Sequence, residues 1–501
     1  MDKGKMSTVH YMLELLDSRA SLVLLFASLL TYLYFRRPTN LPPGPLCWPV
    51  IGSLPSIAKT DDLHLKFLEW QKEYGPVTYF RIGMLDAVVL RGYDVIYQAL
   101  VKQAEVFSSR PVHLAVVTKI TNNKGIAMIP SGPHWKEQRR FALVTLRSFG
   151  FGKRSLEARI LEESAALREE IRNMGVKPFN ITRMAQKATT NVICSLVFSH
   201  RLEYDNPHFL RLMEDFNTIS GTDFINMPEN IFPFLRHVLN SADNLIKATD
   251  FPVDYIKAQI REHERTLDKN DIRDFIDAFL VEMKTQDQST STFTEEQLVY
   301  TVFDLFIGGT ESTSNGLRWV ILLLMVNPDI QRKVQAEIDS VLGPDQSPSM
   351  SHRAQLPYTQ AVLSEVFRFA CIVTLIVPHT TTEDTNLNGY HIPKQTIVIP
   401  NLWSVHYDEK LFPDPYKFDP TRFLDDRGQY KKDEHVMPFS AGPRVCLGEQ
   451  LARMEFFLFF TSLMQHFTFK LPEGASVSPH DGTTGGVRSP KPYDMIAVAR
   501  N

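Results

Sequence analysis

Cys446 is the residue best placed for chemistry. It lies in the run PFSAGPRVCLGE, between Gly442 and Gly448, two positions after Arg444 and just before the helical pattern GEQLARMEFFLFFTSLMQ. Flanking glycines let backbone approach a flat ligand closely. Backbone N–H groups and a helix N-terminus favour thiolate over thiol. A haem iron held by such a thiolate receives electron density that assists O–O bond cleavage.

Three further groups could work with it. In TEEQLVYTVFDLFIGGTESTSNGLRWVILLLMV, Thr294 and Gln297 predict a capping box, and the helix runs uninterrupted to Asn327-Pro328. At about 45–50 Å it is long enough to cross a whole domain. Gly308 and Gly309 weaken its middle, followed by Thr310, Glu311, Ser312 and Thr313. A carboxylate and hydroxyls inside an apolar helix are expensive without a use. A proton relay is one; a kink with satisfied polar groups is the plain alternative. Next, Glu365 and Arg368 lie three apart on one helical face. Such a pair is ordinarily a solvated salt bridge, unless Arg422 of FDPTRF joins it in a buried structural network. Last, Trp135 and Arg139 project from one face of HWKEQRR. With Lys124, His379 and Arg444 they form a set of cations and N–H donors suited to the two propionates of a haem, though each alone reads as a surface group.

The elements that must position these residues read as mainly α with a small β portion. LEARILEESAALREEIRNM and NPDIQRKVQAEIDSVLG are helical patterns, while PVTYFRIGMLDAVVL and HIPKQTIVIPN alternate as strands. The chain has 501 residues, 44% apolar and 22% charged, an ordinary globular composition. A formal charge of −3 without a basic block argues against nucleic-acid binding. No Gly-rich loop has nucleotide-binding spacing. Cys47, Cys194, Cys371 and Cys446 are scattered, so neither disulfides nor a zinc site is expected, and Cys194 reads as a small buried hydrophobe. Ala20 to Phe35 carries no charge and is followed by Arg36-Arg37. This predicts a membrane anchor over 1–37 with the main body on the cytoplasmic side; a cleaved signal peptide is the rival. The stiff stretch Leu41-Pro42-Pro43-Gly44-Pro45 predicts a spacer hinge over 38–50, leaving 51–501 as one large catalytic domain.

Taken in order, these motifs resemble the cytochrome P450 family along the whole chain. Phe439, Gly442, Arg444, Cys446 and Gly448 match its F-x-x-G-x-R-x-C-x-G loop. Glu365 and Arg368 match its E-x-x-R pair, Pro420-Thr421-Arg422-Phe423 its P-x-R-F element, and Trp135 with Arg139 its W-x-x-x-R motif. WKEQRRFALVTLRSFGFGKRSLEARI and FLDDRGQYKKDEHVMPFSAG are similar to animal microsomal family-2 enzymes. The resemblance implies a cytochrome P450 fold behind an N-terminal membrane anchor, in the endoplasmic reticulum membrane with its catalytic domain on the cytosolic side. It implies haem b on Cys446, with Lys124, Trp135, Arg139, His379 and Arg444 at the propionates and Glu311, Ser312 and Thr313 delivering protons. Electrons would come from NADPH through NADPH-cytochrome P450 reductase, with cytochrome b5 a candidate second partner. The substrate would be lipophilic: a fatty acid, steroid or xenobiotic. Candidate walls are 112–128, Phe303–Gly309, 372–377 and the turn at Gly486-Val487.

Three departures bear on function. Ser312 stands where the family carries Thr and lacks the methyl that restricts rotation, which predicts leakage of reduced oxygen as peroxide. Lys124 replaces an Arg, a point charge in place of a fork. Pro443 removes a positive charge from the face expected to meet the reductase, which predicts weaker salt dependence of docking. Two rivals are a haem-thiolate isomerase or lyase acting on lipid hydroperoxides, which needs no Glu311–Ser312 pair, and a non-catalytic haem-binding protein. A non-haem membrane protein is more distant still.

Overall fold

The computed structural model describes residues 19–29, 31–32, 40–58, 60, 62–112, 114–149, 154–222, 227–232, 234–235, 239–287, 290–343 and 346–500. The longer helices, in chain order, are α1 (Leu63–Tyr74), α2 (Pro133–Ser148), α3 (Arg154–Met174), α4 (Thr182–Val197), α5 (Pro207–Gly221), α6 (Asp243–Thr266), α7 (Phe275–Thr285), α8 (Glu295–Val326), α9 (Pro328–Leu342), α10 (Pro357–Ala370) and α11 (Glu449–His466). A four-stranded sheet combines β1 (Val77–Ile82), β2 (Leu85–Arg91), β3 (His379–Thr380) and β4 (Ile397–Asn401) in the order β1-β2-β4-β3. The β2–β4 pair is parallel and the other two are antiparallel. The architecture is mainly helical with a small sheet portion; β1, β2 and β4 fall in the two alternating stretches, while the two-residue β3 lies outside them.

Helix α8 is the axis of the molecule. Thr294 caps it by accepting from the N–H of Gln297. The reciprocal half of the expected box does not form: Gln297 Nε2 donates instead to Gly125 O at 2.8 Å, tying the helix start to the 121–129 loop. The helix passes through Gly308-Gly309 without a break. Two of its glycines are sites of close packing. A Cβ at Gly309 would lie 2.4 Å from Ile193 of α4, and one at Gly316 would lie 1.9 Å from Phe456 of α11. Small residues there let three helices meet around one core.

The Glu365–Arg368 pair is fully buried, contrary to the ordinary expectation for a lone i,i+3 pair. Arg368 Nε and one terminal nitrogen each donate to Glu365 at 2.7 Å, and its other terminal nitrogen donates to His406 O at 2.8 Å. Glu365 also accepts from the N–H of Asp419 at 2.9 Å. Arg422 joins through an ion-pair contact of 3.6 Å. The ring of His406 in turn accepts from the N–H of Met437, at the entrance to the cysteine loop. The network therefore holds the loop from behind.

At the other end of the chain, the described part of 19–32 is helical with exposed apolar side chains. Most of the expected 1–37 anchor lies outside the described residues, although the greater part of its apolar run, 20–35, lies within them, and no described helix is long and apolar enough to cross a membrane. The proline-rich stretch packs on the body from Asn40 onward. Pro43 O accepts from Tyr79 N at 3.0 Å, and Asn40 exchanges bonds with the hairpin at Gly389 and His391.

Candidate active site

The cysteine loop is built around one obligatory glycine. Gly442 has φ +74°, and a Cβ there would sit 1.9 Å from Leu100 O. No other side chain fits that turn. Val445 N donates to Gly442 O at 3.0 Å and Cys446 N to Phe439 O at 2.9 Å, closing the loop directly before α11. Cys47, Cys194 and Cys371 are buried, and burial pushes the Cys194 and Cys371 thiols up. Cys446 differs. It is accessible at its surface although protein surrounds it on most sides. Burial also raises its pKa; the Gly448 N–H and Arg139 oppose this but do not prevail. The expected preference for thiolate thus needs more than the loop and helix end, and a coordinated metal ion would supply it, since metals deprotonate a thiol outright.

Beside the loop lies a cluster of cations without a counter-charge. Arg444 donates to Ser108 O, Ile126 O and Ile129 O at 2.8, 3.1 and 2.6 Å, and its guanidinium stacks 3.8 Å over the Trp135 ring. Arg139, one turn beyond Trp135 on α2, donates to Val445 O. His379, placed by β3, donates from Nδ1 to Phe107 O at 2.6 Å. A further member is Arg110, which sequence reasoning missed. It donates to Ala127 O, Val377 O and Pro378 O at 3.0, 2.6 and 2.9 Å. Nothing in the type or spacing of SSRPVHL distinguishes it from a surface arginine. Burial and mutual repulsion depress the pKa values of Arg110 and Arg444, and burial with both arginines nearby pushes His379 far down.

Among the described residues no carboxylate pairs with Arg110, Arg139 or Arg444. Trp135 Nε1 and His379 Nε2 are buried with no partner in the protein. An accessible sulfur, three guanidiniums without a described counter-charge and two orphaned ring nitrogens fit a flat, iron-bearing dianion such as haem. Lys124 stands apart from this set, in a 3.9 Å ion pair with Glu296.

The polar centre of α8 is arranged differently from a simple relay. Burial raises the pKa of Glu311, opposed by Gln186, Arg318 and Asn315. Gln186 of α4 donates to its Oε1 at 2.6 Å, and Asn315 donates to its Oε2 at 2.8 Å. Ser312 Oγ donates to Gly308 O at 2.7 Å, back along the helix. Thr313 is buried, while Gly308 is exposed in mid-helix, and a Cβ there would meet nothing within 4 Å. Acid and hydroxyl are neighbours in sequence but each is held by another partner.

The candidate walls are linked through backbone contacts. Asp304, which the sequence reading passed over, accepts from Ile126 N and Ala127 N at 2.6 and 2.9 Å and fastens the 112–128 segment to α8. Burial raises its pKa to about 6. Arg488 N donates to Ile372 O, and Gly486 N to Ser220 O at the end of α5. Phe306 stacks on Phe216 of α5 at a centroid distance of 5.5 Å and Phe303 packs against the same ring, tilted, at 5.6 Å, making them core more than lining.

Comparison with known proteins agrees with this chemistry. The family described as Cytochrome P450 matches residues 42–497. The chain is 42% identical to cytochrome P450 2C3 of Oryctolagus cuniculus over 464 residues, covering 92% of this chain and 94% of the relative. It is 42% identical to human cytochrome P450 2C8 over 484 residues, 95% and 98% of the two chains. With human cytochrome P450 2U1 the identity is 38% over 498 residues, 94% and 91% of the two chains. The cysteine loop, the buried Glu–Arg pair and the length of these matches agree: the chain belongs to the cytochrome P450 family and is a monooxygenase of it.

Proposed function

We propose that this monooxygenase oxidises a lipophilic substrate with electrons drawn from NADPH through the flavoprotein reductase, and that cytochrome b5 serves as a second donor. Bound haem supplies O2 activation and oxygen transfer. The residues of this chain do the rest. Cys446 Sγ would hold the haem iron. Trp135, Arg139, His379 and Arg444, joined by Arg110, seat the propionates, with Lys124 at the edge of that set. Ser312 Oγ would donate a proton after leaving Gly308 O, and Glu311 would resupply it on release from Gln186 or Asn315 and be reprotonated from solvent, with Thr313 behind them. The observation that carries this reading is the Glu311–Ser312 pair beside exposed Gly308 in an otherwise apolar helix. An acid–alcohol pair there serves proton-coupled oxygen reduction.

Apolar walls and a membrane site point to the same substrate class. Leu46, Trp48, Val50, Ile51, Met84 and Phe234 are exposed. Gly52 pairs with Ile82, and Gly83 abuts Ile231 and Phe232, so these residues share one region of surface close to where the chain leaves the N-terminal apolar run. We place this region against the bilayer, with residues 1–37 as anchor, 38–50 as a docked hinge and 51–501 as a catalytic domain on the cytosolic face of the endoplasmic reticulum. The test is reconstitution with reductase and NADPH in phospholipid vesicles, incubation with a lipid extract and mass spectrometry. The expected result is a product 16 mass units heavier than its substrate, dependent on NADPH. Failure of a chain with a normal ferrous–CO spectrum to form any such product would overturn the reading.

A further inference from the structure

Glu311 does not act alone, and the group that holds it lies on another helix. The amide of Gln186 on α4 is 6% exposed and has two partners. Its Nε2 donates to Glu311 Oε1 at 2.6 Å and to Asn217 Oδ1 of α5 at 3.1 Å, while its Oε1 accepts from Asn217 Nδ2 at 3.4 Å. The second carboxylate oxygen is held by Asn315, whose Oδ1 accepts from Arg318 at 2.6 Å. The charged neighbour acting on Glu311 is Arg318, on its own helix. From α4 the carboxylate meets the amide of Gln186, and Asn217 of α5 reaches it only through that amide.

We propose that Gln186 is a positioning residue: it holds the Glu311 carboxylate and links it to Asn217, so that the placement of α5 is communicated to the proton donor of the reaction. The inference rests on the role given above to Glu311. Its physical basis is the two-sided amide. A single side chain cannot keep bonds of 2.6 and 3.1 Å if α5 moves away from α4, because a primary amide has fixed geometry. The Gly486 turn and residue 220 join α5 to a candidate wall, so a substrate pressing on that wall bears on the same helix. A hydrogen bond to a charged group is of the strong kind, so a change at Asn217 is felt at Glu311.

The test uses Gln186→Leu in the full-length holoenzyme with reductase, alone and combined with Glu311→Gln. One readout needs no turnover: the carboxylic-acid carbonyl band of Glu311, identified by its loss in Glu311→Gln and followed against pH by infrared difference spectroscopy. Removing a donor to the carboxylate favours the protonated form, so the titration moves to higher pH in Gln186→Leu. Asn217→Leu, which leaves the Gln186–Glu311 bond in place, moves it less in the same direction. The second readout is the share of NADPH-derived electrons recovered as hydrogen peroxide, with lauric acid as probe. It rises by roughly tenfold in Gln186→Leu, the factor for one charge-assisted bond, and the increase disappears in the Glu311→Gln background. An unmoved titration, or a peroxide increase that persists without Glu311, overturns the proposal. Absence of any NADPH-dependent oxidation by the wild type would instead count against the function, while the infrared titration would still decide the link.

Discussion

Two buried charge clusters flank the cysteine loop, and they are composed in opposite ways. Behind it, Arg368 faces Glu365, with Arg422 close by, and every strong donor of Arg368 ends on a carboxylate or carbonyl. The cluster is closed by the protein itself. In front of it, Arg110, Arg139 and Arg444 donate to carbonyls without any carboxylate among the described residues, and two ring nitrogens beside them have no partner. The first composition belongs to structure. The second suits a group that brings its own negative charge. Burial alone does not separate a structural cluster from a binding one; charge balance does.

The comparison can be broken most severely at its closed half. Arg368→Ala leaves Glu365 as a lone buried charge, and the expected loss is about 3–5 kcal/mol of stability, measured by thermal unfolding and soluble yield. Replacing both residues by Met should recover part of it; if the double variant is the worse, the pair is not acting as a pair. At the open half, Arg444→Met should fold but lose haem about tenfold faster to an acceptor protein. Unchanged haem retention would remove Arg444 from the propionate seat.

Glu455 on α11 sharpens the contrast, because it is a buried acid with neither kind of compensation. One of its oxygens has no partner, and burial raises its pKa well above the usual carboxylate range. The folded state therefore binds the proton more tightly than the unfolded chain. Stability associated with this group is greatest in acid and falls as pH rises from about 4.5 through the folded value. Glu455→Gln should match the wild type in acid and exceed it by about 1–3 kcal/mol at pH 8, read from denaturant unfolding at both values. A constant difference across pH would show that Glu455 is paired after all.

Smaller effects are expected at the departures from the family pattern. In the structure Ser312 Oγ is satisfied by Gly308 O. Ser312→Thr restricts that rotamer and should lower the peroxide share by about twofold; an unchanged or higher share would show that the missing methyl is not the leak. Pro443 is exposed at the outer face of the loop. Pro443→Arg should steepen the salt dependence of reduction by the reductase while leaving the maximal rate within about twofold. A flat salt response would place docking elsewhere.

Much of this was legible beforehand. The long helix, its Thr294 cap and its end at Asn327-Pro328 followed from pattern and capping chemistry. So did β1, β2, β4 and the loop around Cys446, but not the two-residue β3. The other half of the capping box failed because Gln297 had a tertiary partner, Gly125 O, in reach. Arg110 and Asp304 were passed over because an arginine before proline and an aspartate in an apolar helix carry no spacing signal. Their roles arise from carbonyls and amides more than a hundred residues away in the case of Asp304 and Ala127, and of Arg110 and Val377.

What the sequence determined by itself is local. Cys446 stands between two glycines just before a helix, a long apolar helix carries an acid and an alcohol, and a cation set stands at the W-x-x-x-R and cysteine motifs. These are properties of neighbouring residues, and neighbouring residues are written next to one another. Tertiary structure decided which charges cancel and which do not. It buried Glu365 with Arg368, gathered three arginines without an acid, and turned Glu311 toward Gln186 instead of Ser312. Those outcomes depend on long-range approach in a low-dielectric interior, where the partner brought near sets the value of every charge.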